Sequence, residues 1–356
     1  MRLPFAGWIA RTVSDPAFQN KAARFPLTRP FVRAEGARMF DLVAGFVQSQ
    51  MLQALVKLDV LERCRSPQTV AALAPDLGLS VDRADLLCRA GVAMGLLSLD
   101  GAHFTTTPRG AVLGSVPGLT DMILHHDVLY RDLADPVAFL RGETKPELAS
   151  FWPYVFGGGA GVEEATRYSK LMADSQALVA EDTLSQVDLR GVARLTDVGG
   201  GSGAFAAKVL EAYPDAAVTL FDLPTVLDTV PEALAGKVTK APASFREDAL
   251  PEGQGAITLI RVLYDHSDDT VQALLAKTKA ALPMGGRLIV SEPMTGGDAP
   301  HVAGDVYFAT YCAAMGTGQA RSQARIAALM RQAGFTDIRA PKPHRAFVTS
   351  VVEGRA

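Results

Sequence analysis

Cysteine is scarce in this sequence: Cys64, Cys88 and Cys312 are the only three among 356 residues. They are too few and too scattered for a disulfide framework or a zinc site, and all three are expected to be buried structural thiols. His103, His125, His126, His301 and His344 fall at no metal-ligand spacing, so no metal is expected. An excess of charge is lacking too, with a net charge of −3 and a pI of 6.1, so no global field draws the chain to nucleic acid. No uninterrupted apolar run approaches the roughly 18 to 20 residues of a spanning helix, and the N-terminus lacks the pattern of a secretory leader. A cytoplasmic location is therefore expected.

One local charge excess is present. In the first forty residues Arg2, Arg11, Lys21, Arg24, Arg29, Arg33 and Arg38 meet only Asp15 and Glu35, with Phe5, Trp8, Ile9, Phe18, Phe25 and Phe31 interleaved. A basic arm with aromatic anchors suits the surface of an anionic membrane. It equally suits a solvated tail, or a segment wrapped on a partner subunit.

A composition of 48% hydrophobic and 21% charged residues is enough for two globular units. From Met39 to Leu61 apolar residues recur at helical spacing on several sides, which predicts a helix buried on more than one face. Helices over Thr69 to Ala74 and Val81 to Met94, then a hairpin of Leu96 to Leu99 and His103 to Thr107, describe a winged helix. Arg83 and Arg89 on its second helix are offset by Asp82 and Asp85, which disfavours phosphate contacts and nucleic-acid binding. Pro117 to Leu189 is again helical in pattern, broken at Gly157-Gly158-Gly159.

Beyond Ala193 short β-branched runs alternate with helical segments. Strands are predicted at Arg194 to Val198, Ala217 to Asp222, Ala256 to Val262, Arg287 to Ser291, Phe335 to Arg339 and Ala346 to Val352. Helices are predicted to begin near Ala204, Thr225, Thr270 and Ser322. This alternation implies an α/β, doubly wound parallel sheet, with ligands at the carboxyl ends of its strands and an antiparallel hairpin last.

The chemical motif is Asp197-Val198-Gly199-Gly200-Gly201-Ser202-Gly203 leading into a helix. Glycines at such a turn let the backbone approach a ligand, and exposed amides favour a carboxylate or phosphate. Gly201 to Ala206 also fits a dinucleotide fingerprint. Asp197 separates the two: its charge repels a pyrophosphate and attracts the ammonium of a methionine moiety. Asp222, at the end of the next strand, suits ribose hydroxyls in either case.

Asp197 to Gly203, Phe221-Asp222-Leu223-Pro224 and Arg261-Val262-Leu263-Tyr264-Asp265-His266-Ser267-Asp268-Asp269, in that order, resemble the plant-type class I S-adenosylmethionine-dependent O-methyltransferases and their bacterial relatives. Gly285-Gly286-Arg287-Leu288, Glu292-Pro293 and Ala333-Gly334-Phe335 extend the likeness. Arg24 to Pro30, Gly45 to Gln50 and Arg261 to His266 resemble the carotenoid branch of phototrophic bacteria, which acts on acyclic carotenoids of the hydroxyneurosporene and demethylspheroidene type. The resemblance implies a Rossmann-like methyltransferase domain over 190-356 and a mostly helical winged-helix dimerisation domain over 39-115. Between them lies a connector over 116-189 that contributes to the substrate pocket, and a basic arm covers 1-38. It implies a homodimer, S-adenosylmethionine as donor and S-adenosylhomocysteine as product.

By the same likeness Asp197, Gly199, Gly201, Asp222, Leu223 and Arg261 contact the donor, Ser244 and Phe245 flank its adenine, and Met172 and Ser175 cover it. His125, His126, Tyr307, Thr310, Tyr311 and Met315 line the acceptor pocket. The family's general-base histidine begins a His-Asp-Trp-Ser-Asp pattern, and that slot is Tyr264 here, with His266 in the place of the tryptophan. Glu292 matches one of two glutamates that orient the base; Ala320 replaces the other. Tyr264, Asp265 and His266 are therefore the candidates to position the hydroxyl and take its proton. A phenol, with an unperturbed pKa of about 10, is a poor base, so orientation in line with the methyl group must supply much of the rate, roughly 7 to 11 kcal/mol.

The expected reaction is methylation of a hydrophobic acceptor, most specifically the C1 tertiary hydroxyl of an acyclic carotenoid, which would give the arm a role at the photosynthetic membrane. Rivals are a methyltransferase for a polyketide phenol or a bacteriochlorophyll precursor, a winged-helix regulator with a vestigial ligand domain, and a nicotinamide oxidoreductase.

Overall fold

In the computed structural model, which describes residues 6–151 and 175–356, the chain divides after Ser115 into two units. The N-terminal unit opens with helices α1 (Ala6–Ser14), α2 (Pro16–Arg24) and α3 (Arg29–Lys57). Asp15 caps α2, its Oδ1 accepting from the Ala17 amide at 2.8 Å, and Pro16 supplies a first-turn residue with no amide to satisfy. Helix Val70–Leu77 starts at Thr69 and stops at Gly78, in the left-handed region at φ 64°. Helix Val81–Ala93 starts at Ser80. A small antiparallel sheet, of order β1-β3-β2, is built from β1 (Gln68–Thr69), β2 (Leu97–Asp100) and β3 (His103–Thr106). Leu55, Val60, Leu73, Leu87, Cys88, Leu97 and Phe104 form the core of this winged helix. Cys64 and Cys88 lie in it, and burial pushes the Cys64 thiol up to about 11 and raises Cys88, so both are unreactive.

Helix α3 departs from two expectations. It runs through residue 38 without a break, so the end of the arm and residues 39–57 share one helix. Nor is its middle buried: Phe40, Leu42 and Phe46 are 67%, 76% and 71% exposed. The helical period is as predicted, but the winged-helix core covers only its last turns, at Gln53 and Leu55. With 29 residues and a mean hydropathy of 1.2, α3 is also the one helix among those described with the length and composition to cross a membrane. Gln48, Ser49, Gln50 and Gln53 interrupt what would otherwise be a continuous apolar run.

The C-terminal unit begins with helices Leu119–Asp132 and Pro136–Leu140 and a 3-10 turn, Glu147–Phe151. The buried Asp132 carboxylate accepts from the amides of Glu147 and Leu148, at 2.6 and 3.0 Å, and so fixes that turn. After helical backbone at 175–186 comes a seven-stranded sheet, of β4 (Arg194–Val198), β5 (Ala217–Asp222), β6 (Val238–Pro242), β7 (Ala256–Ile260), β8 (Arg287–Glu292), β9 (Thr336–Arg339) and β10 (Ser350–Arg355). The order is β6-β5-β4-β7-β8-β10-β9, parallel from β6 to β8, with β10 antiparallel to β8 and β9 antiparallel to β10.

Strand β7 is buried throughout, as a parallel strand covered on both faces must be. Ile257 and Leu259 pack in one core and Ala256 and Ile260 in the other, so the two cores lie on opposite faces of the sheet. The chain leaves β4 for β5 on one side while β7 pairs on the other, and the crevice at their carboxyl ends is where such sheets bind ligands. The larger departures from the sequence pattern lie in β7, β10 and β6. β7 ends before Arg261, which turns into the left-handed region at φ 59°. β10 begins later than Ala346 because Arg345 to Val348 form a turn, the Val348 amide donating to the Arg345 carbonyl at 2.8 Å. β6 is additional to the predicted strands: it is a half-exposed edge strand containing Thr239 and Lys240.

Candidate active site

The turn after β4 needs its glycines. Gly199, Gly201 and Gly203 have φ of 68°, 59° and 82°, and a β-carbon on Gly199 would stand 2.8 Å from Val262 Cγ2. Beneath the turn Asp197 is 1% exposed. Thr258, its register partner on β7, donates from Oγ1 to Asp197 Oδ1 at 2.6 Å. Among the described residues Asp197 Oδ2 has no hydrogen-bond partner, and it points at Gly200, whose added β-carbon would lie 2.9 Å away. Burial pushes the Asp197 carboxyl up to about 7, the Thr258 bond holding it down and Asp222 pushing it further up. A buried, half-partnered carboxylate under a glycine turn is suited to a cation at the turn.

Asp222 closes the other side. Its Oδ2 accepts from the Gly201 amide at 2.8 Å and its Oδ1 from the Leu223 amide at 2.7 Å, and burial raises its carboxyl despite both bonds. A carboxylate with two amide donors still has lone pairs for hydroxyls. Ser244 accepts at Oγ from the Arg246 amide at 3.3 Å, and Phe245 packs edge-on against His266, ring centroids 5.3 Å apart.

The segment after β7 carries the expected reactive residues and points them in different directions. Tyr264 is 4% exposed; its phenol accepts from Arg261 Nε at 3.3 Å, and burial holds it protonated far above its ordinary range. His266 instead turns to Arg246, Nη2 to Nδ1 3.2 Å, and burial with the Arg246 and Arg321 charges depresses it to about 4. Side chains 264 and 266 thus do not meet at one centre. The Asp265 carbonyl accepts from Thr317 Oγ1 at 3.0 Å. Glu292 is fully buried, accepts the Tyr264 amide at 3.1 Å, and is pushed up to about 7 by burial. It braces the backbone of residue 264.

Arg261 Nη1 donates to Ser175 Oγ at 2.8 Å and to Gln176 Oε1 at 3.4 Å, linking β7 to the 175–186 helix. That helix is held to the sheet by Thr183 on Ser291, 2.6 Å between hydroxyls, and by Arg345 on Asp182. Met172 lies outside the described residues.

The residues expected on the acceptor side converge. His125 Nε2 lies 3.2 Å from the Tyr311 hydroxyl and His126 Nε2 lies 2.7 Å from that of Tyr307, while Tyr307 and Tyr311 stack at 6.2 Å. Thr310 is half-buried beside them. Met315 is 2% exposed and sits in a core with Val128, Leu129, Leu148 and Tyr264, so it supports the site from behind.

Two residues with no role read from the sequence help to build the site. Arg246 holds His266. Arg321, 2% exposed, donates to the carbonyls of Leu263, His266 and Gln319 at 2.9, 2.8 and 3.0 Å and pairs with Asp268 at 2.7 Å, pinning residues 263–268. A lone arginine has no periodicity that announces such a task.

Comparison with known proteins gives a consistent result. Residues 130–336 match the model of an O-methyltransferase domain, and residues 40–114 match that of an O-methyltransferase dimerisation domain. The chain is 53% identical to the demethylspheroidene O-methyltransferase of Cereibacter sphaeroides, over 96% of this chain and 93% of that one. It is 51% identical to the Rhodobacter capsulatus protein of the same description, over 93% and 84%. Human N-acetylserotonin methyltransferase, solved in complex with S-adenosylmethionine, shares the fold at a TM-score of 0.73 and 24% identity, covering 90% of this chain and 97% of its own.

Proposed function

The chain belongs to the O-methyltransferase family, and from that premise we propose that the hydroxyl it methylates is the C1 tertiary hydroxyl of an acyclic carotenoid, with S-adenosylmethionine as donor and S-adenosylhomocysteine as product. The observation that carries the choice of acceptor is the 53% identity, along nearly the whole chain, to a demethylspheroidene O-methyltransferase. The apolar setting of the acceptor side, with Val128, Leu129, Phe139 and Tyr311 in one cluster, supports a hydrocarbon substrate over a charged one.

The donor supplies an electrophilic methyl group on a sulfonium. In this reading Asp197 receives its ammonium, the glycine turn admits its backbone, Asp222 and Leu223 hold the ribose end, and Ser244 and Phe245 flank the adenine. Arg261 and Ser175 close the side toward the 175–186 helix. The unpartnered Asp197 Oδ2 is the feature that supports this assignment best. Tyr264, braced by Glu292 and Arg261, shapes the wall beside the acceptor and stays protonated. Held in line with the methyl group, an alcohol oxygen gains most of its rate from orientation, roughly 7 to 11 kcal/mol. The test is transfer of labelled methyl from S-adenosylmethionine to a panel of hydroxycarotenoids and phenols. Label in the carotenoid ether supports the proposal, and label confined to phenols overturns it.

The dimerisation domain supports a homodimer, which would cover the exposed face of α3 around Phe40 and Phe46. The arm ahead of it exposes Trp8, Phe25 and Phe31, at 67%, 55% and 67%, among its arginines, and we assign it to the surface of an anionic bilayer, where such an acceptor dissolves. Deleting residues 1 to 36 should abolish flotation with anionic liposomes; unchanged flotation removes the assignment.

A further inference from the structure

Of the groups around residue 264, Tyr264, His266 and Glu292 are poorly disposed to take a proton from an acceptor hydroxyl. Tyr264 is a buried phenol held by Arg261, His266 is turned to Arg246, and Glu292 is fully buried on the backbone of Tyr264. A different pair stands on the acceptor side. His126 comes from helix Leu119–Asp132 and Tyr307 from a π-helical turn, Val302–Phe308, and the sequence places them 181 residues apart. Their polar atoms meet at 2.7 Å, and both residues are half-buried. π-Helical turns are rare and gather at functional sites.

The direction of the bond is set by the surroundings. Burial holds the Tyr307 phenol protonated, with the Tyr130 phenol pushing the same way and Arg261 pulling against both. Burial also lowers His126, so its imidazole is neutral. A protonated phenol then donates to Nε2 of a His126 that carries its own proton on Nδ1. Among the described residues, Tyr130, edge-on at 6.1 Å, and Tyr307 itself are the titratable groups whose rings pack on His126. Tyr307 stacks on Tyr311, which shares a core cluster with Tyr264 of the segment that follows β7. The neighbouring His125–Tyr311 pair is longer, at 3.2 Å, and Tyr311 is buried.

We propose that Tyr307 and His126 form the relay that accepts the proton of the acceptor hydroxyl. The inference rests on the methyl-transfer reading but not on the acceptor being a carotenoid. As the acceptor oxygen bonds to the methyl carbon and the carbon–sulfur bond breaks, its electron pair stays on sulfur. The hydroxyl proton passes to the Tyr307 oxygen, and the Tyr307 proton passes to His126 Nε2. The products are a methyl ether, a neutral thioether and an imidazolium that releases its proton to water, so the positive charge of the sulfonium leaves as that proton.

The experiment first identifies which acceptor the wild-type enzyme methylates, from a C1-hydroxylated acyclic carotenoid in detergent and a set of simple phenols. A wrong acceptor then shows as a different labelled product, separately from a wrong base. On that acceptor Tyr307→Phe, which keeps the stacked ring, and His126→Gln should each lower kcat about 100-fold with little change in KM. The double variant should be no slower than the slower single one. S-Adenosylhomocysteine affinity and the thermal midpoint should stay at wild-type values. The fall of kcat on the acid side of the ordinary histidine value, 6.5, should vanish in His126→Gln. A wild-type kcat and acid limb in His126→Gln, or rate losses that track a lost thermal midpoint, overturn the proposal.

Discussion

In the proposed reading donor binding turns on Asp197, and the burial of this residue has a consequence for pH. With its carboxyl pushed up to about 7, the free protein holds a proton there below that pH, which in this reading a cationic headgroup displaces. S-Adenosylhomocysteine should therefore bind more weakly as pH falls below about 7, by up to tenfold per pH unit, and level off above it. Equilibrium dialysis from pH 5.5 to 8.5 measures this, and Asp197→Asn should flatten the curve and weaken binding about 10- to 100-fold at pH 8. For folding the sign is the reverse. A raised carboxyl favours the folded state most at low pH, and that contribution is lost as pH rises through about 7. The placement of Asp197 and Asp222 at the glycine turn is legible in the sequence because each stands at a fixed distance from it. His266 is not, because the direction of that side chain is set by Arg246, twenty residues away.

At the scale of the element, the turn between β4 and helix Ala204–Ala212 admits a ligand only while its backbone keeps left-handed angles. Gly199→Ala combines such an angle with a β-carbon 2.8 Å from Val262 Cγ2. A stability loss of about 1–3 kcal/mol is expected, read from chemical denaturation, together with loss of S-adenosylhomocysteine binding. β4 and β5 fall where their β-branched runs place them, since a buried parallel strand is an apolar run with sharp ends. β6 has neither mark, because an edge strand needs neither. The end of β7 is also illegible, because Val262 continues the apolar run while the backbone has already turned at Arg261.

For the whole molecule, the apolar residues of α3 keep a helical period, which says that they are covered but not by what. Phe40, Leu42 and Phe46 stay exposed in the single chain, and Phe46→Glu should shift the sedimentation coefficient from dimer to monomer. An unchanged dimer would move the interface elsewhere. The α/β sheet and the winged helix are both legible, because each repeats its own period. The pairing of His126 with Tyr307 is not, because only the folded chain brings together residues that far apart. In the proposed reading, donor binding and with it methyl transfer depend on an amino-acid headgroup, and not a diphosphate, meeting Asp197 at the glycine turn. Calorimetric titration of the intact protein at pH 8 with S-adenosylhomocysteine and with NAD tests this most directly. Saturable heat with the first, one molecule per chain, and none with the second is the predicted result; tight binding of NAD with no response to S-adenosylhomocysteine would contradict it.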